Sequence, residues 1–339
     1  MKKNGKTFLL TILFLILTCL LLRFPKESLV FSLTGLQLWF NKMIPALLPF
    51  MILSGMMIRL DLTESFVKLL SPVLTPLLRI NLNGLYAVVI GFLCGFPMGA
   101  KVIADLYACQ RLSKKEASFL LSFCNNIGPV YFISFVLPTL GLTAKIPYLF
   151  GMYGIPFLYG ILLRHTLYRH AVSCPVPPKH SQGCGIKQFL SHAQVSAAES
   201  SGRKTPAANS LLDVLDDSIL SGLYSISKLG GYMVLFNLFN LIPAAFLHPS
   251  WIAGADSGAV INCLLEITSG ISRIGADAPA IVLLLLPFGG FSCIAQTYSM
   301  IKETDLSLNC YILHKVVLTL ITLLYYGGWY LLFPASFLP

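Results

Sequence analysis

Lys101 and Asp105 stand four residues apart, just after an apolar run that breaks at Gly95-Phe96-Pro97. Four-residue spacing puts both on one helix face, where they can simply neutralise each other. The alternative places Lys101 in a cavity beside the positive end of the helix that starts at the break, where free N–H groups favour an anion. On that reading Lys101→Ala abolishes transport of an anion and leaves membrane insertion intact. An ionisable side chain within a membrane span costs roughly 2.5–3.5 kcal/mol on insertion scales, which makes such a residue a functional candidate by default. Asn125 and Asn126 bring amide donors and acceptors to a second break, Asn125-Asn126-Ile127-Gly128-Pro129. There they either coordinate a polar solute or replace the hydrogen bonds a kinked helix has lost. Glu266 is a lone acid in Leu264-Leu265-Glu266-Ile267-Thr268-Ser269-Gly270. It pairs with Arg273, couples a proton or cation, or hydrogen-bonds the solute. Ser292, Gln296 and Thr297 follow a further break at Pro287-Phe288-Gly289-Gly290 and are candidates for the same cavity. His314 and Lys315 are read as marking the membrane interface, and Tyr325, Tyr326, Trp329 and Tyr330 as an aromatic belt. The expected solute site is therefore shared by Gly95, Pro97, Gly99 and Lys101, by Asn125, Asn126 and Gly128, by Glu266 and Thr268, and by Gly289, Gly290, Ser292 and Gln296. GxSxG, HExxH and phosphate-loop patterns are absent, so neither catalysis nor a cofactor is expected.

These residues need elements that hold them in lipid. Of 339 residues, 56% are hydrophobic and 11% charged, with a mean hydropathy of +0.76. Soluble domains carry about 25% charged residues, so the chain reads as an integral membrane protein with several spans. Its formal charge of +10 is scattered over segment ends and one polar loop. That pattern fits the positive-inside bias and contact with anionic lipid better than nucleic acid. Cys19, Cys94, Cys109, Cys124, Cys263 and Cys293 lie in or beside apolar runs and read as small hydrophobes. Cys174 and Cys184 lack a matching His spacing, so no metal site is expected.

The expected organisation is a retained first span (1–24), a first membrane half (28–167), a polar cytoplasmic linker (168–209) and a second membrane half (210–336). The halves look related. Gly95-Phe96 aligns with Gly290-Phe291, Ala100 with Ala295 and Lys101 with Gln296, all at one separation of 195 residues. Backbone broken by Gly, Pro and Asn at membrane depth survives only when buried in protein or lining a cavity. Matching interruptions in two halves point to a transporter site between repeats. The fold expected is an all-α polytopic membrane protein whose two related halves carry broken-helix or re-entrant hairpins.

Four motifs sharpen this. Gly95-Phe96-Pro97-Met98-Gly99-Ala100-Lys101, Leu121-Ser122-Phe123-Cys124-Asn125-Asn126-Ile127-Gly128-Pro129, Leu265-Glu266-Ile267-Thr268-Ser269-Gly270 and Phe288-Gly289-Gly290-Phe291-Ser292 with Ala295-Gln296 resemble segments of the YlbJ-type sporulation integral membrane proteins. The resemblance runs from about Leu36 to Leu331. It implies a nucleoside-recognition or gate domain, an architecture shared with concentrative nucleoside transporters, and movement of dipicolinic acid across the outer forespore membrane of the mother cell during sporulation. The paired spore maturation membrane proteins are a related family. Dipicolinate is a small planar dianion that Lys101, the hairpin helix ends and the Asn125-Asn126 amides would suit. Two rivals stay open: a carrier of nucleosides or other polar metabolites, and a non-transporting scaffold of the spore envelope. The partners expected are an anionic solute and the bilayer, with a second copy or other spore membrane proteins as further candidates.

Overall fold

In the computed structural model, which describes residues 2–143, 145–169, 211–246 and 257–334, the elements are helical and no strand occurs among the described residues. The polar stretch expected as a linker lies outside them from residue 170 to 209. Helix α1 (Lys2–Arg23) is followed by α2 (Pro25–Leu38), a π-turn (Trp39–Met43) and α3 (Ile44–Arg59). The last three form one continuous 35-residue helix, Pro25–Arg59. At 1.5 Å per residue it is about 52 Å long, more than the roughly 30 Å of a bilayer core. Short helices α4 (Thr63–Val67) and α5 (Ser71–Leu78) follow, and the chain turns through 101° into α6 (Leu82–Cys94).

The first half then builds a hairpin of α6 and α7 (Met98–Ala108), a helix α8 (Lys114–Leu121) and, after an extended break, α9 (Pro129–Tyr131) continuing into α10 (Leu137–Thr139). A crossing of α11 (Ile146–Leu149) and α12 (Ile155–His165) closes it. Ser113 accepts from the Glu116 amide at 3.2 Å, as its spacing leads one to expect. The Glu116 carboxylate does not reach back to Ser113. Instead it accepts from the Asn81 amide (3.2 Å) and side chain (3.3 Å), tying the start of α6 to the start of α8.

In the second half, α13 (Leu211–Leu238) and α14 (Leu241–Phe246) form one long crossing, with no interruption at Gly230. Gly230 packs on the Trp39 ring of the π-turn, whose Nε1 donates to the Ile226 carbonyl at 2.8 Å. Next come α15 (Ser257–Leu265), α16 (Ile267–Ile274), α17 (Pro279–Leu285), α18 (Gly290–Ile301) and the 25-residue α19 (Leu308–Leu332).

Two expectations about this half are corrected. Residues 264–272 form no simple segment: α15 and α16 fold back on one another at Glu266, because a Cβ at Gly270 would stand 2.5 Å from the Cα of Cys263. Seven residues span about 10 Å in a straight helix. Residues 278–300, expected as the hairpin, run on as one crossing, Pro279–Ile301, interrupted at its middle. Each half thus contains a hairpin followed by a broken helix and a crossing.

Helix α19 shows how lipid has inverted the usual pattern. Tyr311, Lys315, Leu318, Thr322 and Tyr326 form a buried stripe, whereas Leu313, Leu320, Leu324 and Leu331 on other faces are exposed. Such an apolar surface would be an aggregation hazard in water and is the ordinary state of a helix facing hydrocarbon. Cys109, grouped above with the apolar cysteines, is disulfide-bonded.

Candidate functional site

The hairpin of α6 and α7 turns at Gly95-Phe96-Pro97 and clasps the second break of its own half. Gly91 and Gly99, one on each arm, both approach the Cys124 carbonyl so closely that a Cβ at either would collide with it. At the tip, Gly95 adopts φ +80°, a conformation natural to glycine alone. A Cβ there would run into the Gly128 amide, and one on Gly128 would sit 2.8 Å from the Cys94 carbonyl oxygen. The glycines of both breaks are therefore a condition of contact between the two segments.

The second half repeats this contact with other residues. A Cβ at Gly290 would stand 3.0 and 3.1 Å from the carbonyl oxygens of Cys263 and Leu264 at the tip of the α15/α16 hairpin. Gly128 and Gly290 are thus equivalent, as are the tips at Gly95–Pro97 and Leu265–Ile267. The alignment of Gly95-Phe96 with Gly290-Phe291 is out of register: it superposes a hairpin tip on a broken helix, since a Gly-Phe pair suits either kind of break.

Glu266 forms the second tip. It N-caps α16, accepting from the amides of Thr268 (3.3 Å) and Ser269 (2.8 Å), and Asn237 Nδ2 lies 3.5 Å from its Oε2. The pairing with Arg273 does not form: that guanidinium lies over the Phe31 ring, 5.1 Å from its centroid. Glu266 is 1% exposed and has no ion-pair partner among the described residues.

Asn125 and Asn126 join the two halves. Asn125 Nδ2 donates to Thr297 Oγ1 (2.9 Å) and the Tyr311 hydroxyl (3.1 Å), while its Oδ1 accepts from the Ala100 amide (3.4 Å). Asn126 Nδ2 donates to the Phe123 carbonyl (2.6 Å), and its Oδ1 accepts from Lys315 Nζ at 2.9 Å. Lys315, expected at the membrane interface, is instead 1% exposed, with its ammonium 4.5 Å from the centroid of the Phe96 ring. Tyr326, expected in the belt, is buried and donates to the Tyr148 carbonyl (3.0 Å), while the half-buried Tyr325 donates to the Pro147 carbonyl (3.1 Å). What sequence reading missed was the stripe Tyr311, Lys315, Thr322, Tyr326, whose helical spacing marks a polar inner face on α19.

Between the tips lies a cavity of about 250 Å³. Phe96 and Gly128 line it from the first half, Glu266, Thr268 and Gln296 from the second, and Met43 to Phe50 of the long first crossing form its wall. Gln296 is held by its own helix, donating to Ser292 Oγ at 2.9 Å. Gly95, Pro97, Gly99, Asn125, Asn126, Gly289, Gly290 and Ser292 form the structure around the cavity and do not line it. Neither does Lys101, whose Nζ is bound to Asp105 Oδ2 at 2.9 Å. Pockets for drug-sized ligands run to roughly 300–1,000 Å³, so this one suits a small solute.

Five helices long and apolar enough to cross a bilayer, together with the bent pair Ser71–Leu78 and Leu82–Cys94, define a polytopic all-α membrane protein. Among characterised proteins the chain is similar to the Sporulation integral membrane protein YlbJ of Bacillus subtilis (strain 168). The two are 26% identical over 341 aligned residues, covering 92% of this chain and 79% of that protein. The resemblance carried by the four motifs is borne out by this similarity. No family model matches the chain, and no solved structure does.

Proposed function

We propose that this protein is a transporter of a small anionic solute, dipicolinic acid, across the outer forespore membrane during sporulation, built on a gate-domain architecture. The observation that carries the reading is the cavity between two hairpin tips, each seated on the broken helix of its own half. Such a site can open to one side or the other when one half rocks against its mate. A scaffold has no need of a cavity bounded by both halves, and the similarity to a sporulation membrane protein supplies the setting. The lining of Glu266, Thr268 and Gln296 favours a second reading as well, since amide, hydroxyl and carboxyl groups would also recognise a nucleoside.

Uptake of radiolabelled dipicolinate into proteoliposomes, with uridine in parallel, separates the readings. Saturable dipicolinate uptake is expected. Uridine uptake alone moves the assignment to a nucleoside carrier, and uptake of neither leaves the scaffold.

A further inference from the structure

Among the described residues two lysines of the membrane region are buried, and their surroundings differ. Lys101 has Asp105 at 2.9 Å. No carboxylate lies in ion-pair range of Lys315 among the described residues. Its ammonium has three N–H donors, of which the Asn126 side chain takes one, and it otherwise faces the rings of Phe96 (4.5 Å) and Tyr311 (5.8 Å). Cation–π contact softens the loss of water but does not replace a counter-charge. An ionisable side chain held in a membrane region without a counter-charge is a functional candidate by default. Phe96, whose ring Lys315 contacts, also lines the cavity, whereas Lys315 itself does not.

We infer that Lys315 is the residue that receives the negative charge of the solute, and that the Phe96 ring is the shutter between it and the cavity. This deepens the transporter reading and rests on it. It gives to Lys315 the part that sequence reading offered to Lys101. Among the described residues Glu266 is the only acidic or basic side chain lining the cavity, and as a carboxylate it repels an anion, so selectivity for a carboxylate solute has to come from a cation within reach. When the ring swings aside, Lys315 can donate its two remaining N–H groups to a carboxylate while Asn126 keeps the third. Asn126 sits in the break that contacts the hairpin tip, so filling of the site is mechanically tied to the tip.

Binding of dipicolinate to the purified full chain in detergent, measured by calorimetry for the parent protein, Lys315→Met and Lys315→Arg, tests this. Met conserves the volume and removes the charge, whereas Arg restores the charge. The expected result is binding at least about tenfold weaker in Lys315→Met, equivalent to about 1.4 kcal/mol, with Lys315→Arg recovering most of it. Equal binding by the parent and Lys315→Met would overturn the inference. So would equal weakening in both variants, which marks a packing role. If Lys315→Met does not accumulate in membranes, Lys315→Gln replaces it under the same criteria. Failure of the parent to bind dipicolinate overturns the transporter reading first and this inference with it, a result distinct from the other two.

Discussion

The two hairpin tips solve one packing problem in different ways. In each, backbone carbonyls at the turn press against a glycine in the neighbouring broken helix, Gly128 in the first half and Gly290 in the second. The first tip is made of Gly95, Phe96 and Pro97 and carries no charge, and its counterpart across the molecule is a lysine held by Asn126. At the second tip a carboxylate, Glu266, folds back to cap its own helix. Geometry is shared while charge is not. The repeat therefore supplies a cavity, and the asymmetry puts the Glu266 carboxyl on its wall and the Lys315 side chain against Phe96.

Substitutions can break or sharpen this comparison. The largest effect is expected at the first tip. Gly95→Ala adds a Cβ at φ +80° against the Gly128 amide, and strain together with overpacking costs on the order of 3 kcal/mol or more. Loss of folded protein in detergent extracts checks it. Gly231→Ala is the reference, because nothing lies within 4 Å of the added Cβ, and replacing a helix-interior glycine stabilises by roughly 0.5–1 kcal/mol. Next comes Asn125→Ala, which takes the acceptor from the Ala100 amide and a donor from Thr297 and Tyr311 across the half-to-half contact. Unpaired buried groups cost about 1–3 kcal/mol, readable as a lowered thermal unfolding midpoint. Glu266→Ala removes a cap and is expected to cost about 1 kcal/mol, whereas Glu266→Gln keeps one acceptor oxygen and loses less. A Gln variant as unstable as Ala would show that charge, and not capping, holds the second tip.

The smallest effect is expected at a link between halves on the surface. Asp305 accepts from Tyr107 and Lys114, both at 2.7 Å, and these bonds hold its carboxyl below the usual carboxylate range. A depressed folded value means the contribution is complete above the ordinary aspartate value of about 3.9 and is lost as the pH falls through the folded one. Asp305→Asn should therefore shift the unfolding midpoint slightly at neutral pH and not at all in strong acid.

Much of this fold was legible because Gly, Pro and Asn interrupt apolar runs at few places, and lipid tolerates such interruptions only for a reason. The breaks at Gly95–Pro97, Asn125–Pro129 and Gly289–Gly290 were all visible as sequence. Which of them folds back was not. Pro287-Phe288-Gly289-Gly290 looks a better hairpin turn than Leu265-Glu266-Ile267, yet the chain reverses at Glu266, since a carboxylate that caps the new helix does what a proline and glycine do elsewhere. Of the residues expected at a solute site, Glu266, Thr268, Gly128 and Gln296 line the cavity. Lys315 was hidden by its place early in the last crossing, where position along the chain suggests an interface and only the inner stripe of α19 shows burial.

The most direct measurement uses cysteines the chain already has. Cys94 and Cys293 line the cavity, while Cys310, at the start of α19, does not. Site-resolved modification by a small maleimide in proteoliposomes, with and without saturating dipicolinate, reads all three at once. Protection of Cys94 and Cys293 with Cys310 unaffected is the expected result. Modification of the two cavity cysteines at the same rate with and without dipicolinate would contradict a solute site between the hairpin tips.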